Sequence, residues 1–183
     1  KAHTVASGSF SSRSEALGVQ GTFKVNGIAV TLTTDDTLDA VATKINEADA
    51  GVTAYVLLQD TQYRLVIRSN KTGTANSIVF EDDPNNKPLV GLGILDAAGA
   101  IANEIQPAQN AQIRLDGLDI TRSQNVISDA IAGLTLTLRA ESTSEVLVEV
   151  KPDVAAVKSR IDEFVKAYND AIGEISKHIA KGG

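Results

Sequence analysis

The sequence contains no cysteine, no tryptophan and no methionine, and only two histidines and four prolines in 183 residues. The lack of cysteine excludes disulfides, thiolate zinc sites and cysteine nucleophiles together. Lacking methionine, Lys1 is not a natural start, and the chain is expected to be a piece of something longer. Aromatic residues make up only 4%, so the core must be built from Val, Ile, Leu and Ala, which bury less area per residue than rings do. Basic residues do not cluster in excess, and the net charge of −6 argues against a domain that tracks nucleic-acid phosphates. No apolar run approaches the length needed to cross a membrane, and no signal peptide opens the chain. What remains is 43% hydrophobic and 22% charged, the composition of a packed globular protein of one or two domains.

Along the chain, Thr4 to Phe10 reads as a short strand that joins a sheet made elsewhere, followed by a Ser-rich loop. The stretch GTFKVNGIAVTL is a hairpin signal. Asn26-Gly27 suits a two-residue turn with φ > 0 at both positions, setting Val25 opposite Ile28 and Phe23 opposite Val30. These four and Leu32 then share a buried face, leaving Lys24, Ala29 and Thr31 on the wet one. In DDTLDAVATKINEADAG, Leu38, Val41, Ala42 and Ile45 fall at helical spacing, with Asp36 as the expected N-cap, Asp39 three residues on, and Gly51 as the stop. Strands follow at Val52–Leu58, Tyr63–Ser69 and Ser77–Phe80. In the second of these, Tyr63, Leu65 and Ile67 face one way and Arg64, Val66 and Arg68 the other. The segment 81–109, with Pro84, Pro88 and Pro107, reads as loop with a helical turn near Leu92 to Leu95, and as an interdomain connection.

The pattern then repeats. Asp116-Gly117 takes the place of Asn26-Gly27; Ile113, Leu115, Leu118 and Ile120 match Phe23, Val25, Ile28 and Val30; and Val126 to Ile131 is expected to be a short helix where Leu38 to Ile45 was. Two related small domains are implied, the second completed by strands Leu134–Leu138 and Glu145–Val150. The last segment differs in kind. After Pro152 and Asp153, a helix-opening pair, Val154, Val157, Ile161, Phe164, Tyr168, Ala171, Ile175 and His178 step by three and four, as a coiled-coil seam does. Val165, Ile172 and Ile179 widen it. The fold class read from these elements is α+β, mainly β: two small β-rich domains followed by a long coiled-coil-type helix.

Signals for chemistry are sparse. His3 and His178 stand near opposite ends of the chain and are expected to be surface or seam residues. No nucleophile elbow, H-E-x-x-H or P-loop occurs, and Gly91-Leu92-Gly93 lacks the later glycine of a dinucleotide fingerprint. The run Glu81, Asp82, Asp83 and the pair Asp35, Asp36 offer oxygen ligands to a divalent cation, but solvated loop and cap carboxylates are the plainer account. Asn70-Lys71-Thr72 is a formal glycosylation sequon. Arg64, Arg68 and Lys71 form either a basic patch or an ordinary solvated sheet face. No catalytic residue, cofactor or metal is implied, so an enzyme is not expected.

The blocks GTFKVNGIAVTLTTDDTLDAVATKINEADAGVTAYV and YRLVIRSNKTGTANSIVF resemble the repeat of bacterial flagellins and hook-associated proteins. The shared features are the Asn-Gly turn, the Asp-Thr-Leu helix start, Lys-Ile-Asn at the helix end, Gly-Val-Thr-Ala opening a strand, and Thr-Gly-x-x-Asn-Ser-Ile. AHTVASGSF, LDGLDITRSQNVISDAIAGLTLTL and FVKAYND resemble, in that order, the filament-cap members of the hook-associated protein family. The match spans essentially the whole chain, and the Pro- and Asn-rich DDPNNKPLVG departs from it.

The resemblance implies one head domain inserted in another: residues 1–17 and 109–150 an inner domain, 18–108 an outer one, and 151–183 a leg helix. The seam of Val154, Val157, Ile161, Phe164, Tyr168 and Ile175 would pack against other leg segments. It further implies an extracellular structural cap at the distal end of the bacterial flagellum, homo-oligomeric, under which flagellin folds and is inserted into the filament. The partners it implies are the chain itself, flagellin, the filament end with other hook-associated proteins, and a flagellar export chaperone reached through other regions; nucleic acid and membrane are not among them. An alternative is a surface adhesin module that binds host mucin or glycan, for which the sequence offers no aromatic platform or calcium cage.

Overall fold

A computed structural model describes residues 1–151 and 153–180, with side chains to Lys177. The chain divides into two units, Lys1–Ala140 and Glu141–Gly183.

The first unit opens with β1 (Ala2–Ala6), the hairpin β2 (Gly21–Val25) and β3 (Ile28–Leu32), helix α1 (Leu38–Glu47), and the hairpin β4 (Val52–Gln59) and β5 (Gln62–Thr72). Asn26 and Gly27 adopt φ of 50° and 83°, the left-handed conformations that a two-residue turn between right-twisted strands requires. The register follows: Phe23 lies opposite Val30 and Val25 opposite Ile28. Phe23, Val25, Val30 and Leu32 are buried, but Ile28 is 45% exposed. It directly follows the turn, at the hairpin tip, outside the core cluster.

Helix α1 buries Leu38, Val41, Ala42 and Ile45 against these strands. Its N-cap is Thr37 rather than Asp36: the extended Thr37 hydroxyl accepts from Ala40 N at 3.2 Å. Asp36 is turned back instead, accepting from Thr33 N at 2.7 Å and Lys44 Nζ at 2.6 Å. Two antiparallel sheets sandwich the resulting core, one in the order β4-β5-β1-β7 and one in the order β3-β2-β6, with β6 at Phe80–Glu81 and β7 at Glu104–Gln106. The expected strand at Ser77–Phe80 shrinks to β6, because Asn76 and Ser77 bond locally to the carbonyls of Thr72 and Thr74 and curl the chain through a 3-10 turn.

Strand β1 is part of the larger sheet, with Val5 opposite Ile67 and Ala6 opposite Val66, and the backbone of Lys1 is bonded to that of Gln109. Strand β5, eleven residues long, extends beyond β4 and offers its free edge to β1. The segment 81–109, expected to be mostly loop, contributes to the core. Short helix α2 (Pro88–Gly91) and the turn after it bury Leu89, Leu92, Ile94 and Leu95 in the same core. Gly93, at φ 67°, lies so close to β1 that an added Cβ would meet Gly8 N at 2.8 Å. Gly93 thus permits backbone contact, whereas Gly91 lies against the side chain of Val19.

In the second repeat, β8 (Ala111–Leu115) and β9 (Leu118–Arg122) copy the first hairpin, with Asp116 and Gly117 at φ 49° and 85° and Ile113 opposite Ile120. The copy then diverges: 126–131 is strand β10 (Val126–Ile131), paired with β11 (Leu134–Thr137), not a helix. Val126 and Ile127 are β-branched, and Gly133, at φ 79°, closes a tight turn that pairs Ile131 with Leu134.

The second unit contains α3 (Val154–Ala180), whose first turn is held by Asp153 Oδ1 accepting from Ala156 N at 2.9 Å. Pro152 lies outside the described residues, as do the side chains of His178 and Ile179. Residues Glu145–Val150 form no strand, and Val146, Leu147, Val148 and Val150 are exposed. An extended segment becomes a strand only when a neighbour takes its N–H and C=O groups.

Candidate assembly surfaces

The polar residues that make the first repeat recognisable act as internal ties. Asn46, at the end of α1, donates Nδ2 to Ala54 O at 2.8 Å and accepts from Ala54 N at 2.7 Å. Its amide thereby pairs with edge strand β4 as a further strand would. Asn26 links its turn to two separate segments, donating to Ala50 O at 2.8 Å and accepting from Val79 N at 2.9 Å. Lys44 reaches both Asp36 and Thr31 O.

His3 was expected at the surface or in the helix seam, but it is buried. Its Nδ1 accepts from Ile78 N at 2.8 Å, which puts the ring proton on Nε2. Nε2 lies 3.0 Å from Glu104 Oε1 without hydrogen-bond alignment. Alternation hides this histidine because β1 is covered on both faces.

Of the acidic residues considered for a cation, Asp36, Glu81, Asp82 and Asp83 accept from protein groups. Asp82 accepts from Leu89 N and Val90 N at the start of α2, and Glu81 pairs with Lys24 at 2.8 Å. Hydrogen bonds from Asn85 and Asn86 hold the Asp83 carboxyl below its usual range. Burial pushes Asp36 up, but the bonds from Lys44 and Thr33 outweigh it and leave it low. Asp39 is lowered by the hydrogen bonds and charge of Arg13. Among the described residues no group of three or more metal-ligating side chains converges.

The exposed apolar surface is concentrated on α3. Val154, Val157, Ile161, Phe164, Tyr168 and Ile175 are all between 54% and 72% exposed, well above what single surface apolar residues need for explanation. Val165 and Ile172 extend the stripe, which runs along 27 residues, or about 40 Å. A helix with such a stripe gains most of its stability from whatever packs on it. A second exposed set, which periodicity alone did not single out as a surface, is Tyr55 and Leu57 on β4. Alternation along β4 held the signal, but only the pairing with β5 shows what stands beside them.

Comparison with known proteins adds two matches. A family described as Flagellar hook-associated protein 2 C-terminus matches residues 108–181, and one described as Flagellin hook IN motif matches 18–71. The flagellar hook-associated protein 2 of Salmonella typhimurium is 32% identical over 152 residues, covering 80% of this chain and 32% of the relative. The chain spans about a third of the length of the curated relatives it matches. Two solved structures align over most of it. For the D1-D2-D3 domains of the flagellar cap protein FliD from Escherichia coli the TM-score is 0.77 at 26% identity, covering 97% of this chain and 63% of that one. For FliD (HAP2) from Pseudomonas aeruginosa it is 0.70 at 28% identity, covering 93% and 83%.

Proposed function

The chain belongs to the flagellar hook-associated protein family, and we propose that it supplies the head and one leg helix of a structural cap at the distal, extracellular end of the bacterial flagellum. In this reading copies of the protein form a homo-oligomeric cap that promotes folding of flagellin and its insertion into the growing filament. The observation that carries it is the pairing of a closed, internally tied β module with a long helix whose apolar stripe is exposed. Such a helix is an assembly element, and the seam Val154, Val157, Ile161, Phe164, Tyr168 and Ile175 is assigned to packing against further leg helices of the cap. The work of the cap is positional and needs no reacting group. Flagellin, the filament end and the neighbouring hook-associated proteins are the partners in this account, with an export chaperone engaging regions beyond this stretch.

Immunogold labelling of intact bacteria, with an antibody raised against this chain, tests the assignment. Gold at filament tips alone is the expected result, accompanied by release of unpolymerised flagellin when the gene is deleted. Gold along the filament sides, or normal filaments in the deletion strain, would contradict it.

A further inference from the structure

The larger sheet has two faces of opposite character. Val5, Val52, Ala54, Leu65 and Ile67 point into the core shared with α1. The outer face carries Tyr55 and Leu57 on β4 and Arg64, Val66 and Arg68 on β5, with Tyr55 opposite Val66 and Leu57 opposite Arg64. Tyr55 is 43% exposed and Leu57 50%. Val66 is buried although it lies outside the core cluster, so the outer face already has a small apolar centre. Arg64 donates to Ser7 O at 3.0 Å, which fixes its stem beside that centre. Neither Arg64 nor the exposed Arg68 has a carboxylate partner among the described residues. Around α1 the cations Arg13 and Lys44 are paired with Asp39 and Asp36, which leaves Asp35, Glu47 and Asp49, before and after the helix or at its end, exposed and without ion-pair partners among the described residues.

We propose that these two surfaces are the halves of a head-to-tail contact between copies of this chain, the tyrosine- and arginine-bearing sheet face of one docking on the carboxylate side of α1 in the next. The proposal rests on the cap reading only in that a homo-oligomer is expected there. Tyrosine and arginine are the residues most enriched where interfaces concentrate their binding energy. A two-fold contact through the sheet face would set Arg68 near its own copy, whereas a head-to-tail contact sets it against carboxylates. Heterologous contacts of this kind close into rings when the rotation between copies allows. Because the charges are exposed, they govern orientation and salt dependence, and Tyr55 and Leu57 supply the apolar contact.

The test is sedimentation of the whole chain carrying Phe164→Ser and Ile175→Ser, so that the helix seam does not drive association. The expected result is concentration-dependent association that weakens as salt is raised from about 0.05 M to about 0.5 M. Arg68→Glu should weaken it about tenfold or more, as should Tyr55→Ser with Leu57→Ser. Adding Glu47→Lys and Asp49→Lys to the Arg68→Glu chain should restore most of the loss, since the swapped charges again face each other. A far-UV spectrum unchanged by these surface substitutions excludes misfolding as the cause. Association indifferent to Arg68→Glu would overturn the proposal, as would a seam-broken chain that stays monomeric. Loss without rescue by the swap would assign the face to a different acidic partner and equally overturn it. Tip labelling with monomeric heads would sink this contact alone and leave the cap reading in place.

Discussion

The two hairpin repeats begin alike and end differently. Both use a left-handed two-residue turn, Asn26-Gly27 and Asp116-Gly117, and the same pairing of apolar positions on either side of it. In the first, α1 and the segment from Pro88 to Leu95 close over the hairpin, and Phe23, Val25, Val30 and Leu32 are buried. In the second, a strand pair takes the helix's place; Ile113, Leu115 and Ile120 are only half-buried and Leu118 is 70% exposed. Turn chemistry fixes a hairpin's register, but whether its apolar face becomes core depends on what the following segment lays across it. An isolated strand pair is marginal in water, so the second repeat is the weaker of the two.

The largest expected effect separates the repeats directly. Phe23→Ala should destabilise the chain by about 3–5 kcal/mol, since a fully buried ring leaves a cavity. Ile113→Ala, at the half-buried position of the second repeat that matches Phe23, should cost only about 1–2 kcal/mol. Urea unfolding of the two variants against the parent chain checks both, and equal losses would erase the distinction between repeats. Next in size, Asn46→Ala should cost about 1–3 kcal/mol, because it removes two hydrogen bonds to β4. It should also make the chain prone to strand-to-strand association through the uncovered edge. Light scattering after the substitution reads the second consequence separately from the first.

A smaller effect concerns acid. Asp36 and Asp39 in the first repeat, and Asp83 in the segment before α2, have carboxyls held below their usual range, so they stabilise the fold above pH about 4. That contribution is lost as pH falls through their depressed folded values, where the unfolded chain already binds the protons. Asp36→Asn should therefore make the fall in stability below pH about 4 shallower. In the second repeat, Arg122 lowers Asp129 chiefly through hydrogen bonds, but that pair is exposed, and Asp129→Asn should leave the acid limb almost unchanged. Smallest of all, Phe164→Ser with Ile175→Ser should leave the thermal midpoint of the β unit unmoved while reducing self-association of the chain. A lowered midpoint would show that the seam stabilises the unit.

Much of this was readable in the residues, and the failures share a cause. The two turns, the face buried by α1 and the span of α3 follow from local signals, namely left-handed turn residues and apolar period. Val126 to Ile131 was misread as helix by analogy with the first repeat, although its β-branched start and Gly133 argued for a hairpin. The N-cap moved by one residue because Lys44, a full eight positions away, claims Asp36. His3 and Tyr55 show the deeper limit. One is buried and the other exposed because of which strands lie beside them, information that a strand's own alternation does not contain. The helix seam was legible because its spacing is local. Alternation along β5 puts Arg64, Val66 and Arg68 on one face, but only the strand pairing adds Tyr55 to it, opposite Val66.

The central claim is that the first repeat is complete in itself while the second repeat and α3 gain their cover from assembly. Hydrogen exchange of the whole chain at two concentrations, one dilute and one where it associates, tests this most directly. Amides of β2 to β5 and α1 should be strongly protected at both concentrations. Those of β8 to β11 and α3 should exchange quickly when dilute and slow on association. Equal protection of all these elements in the dilute chain would contradict the account.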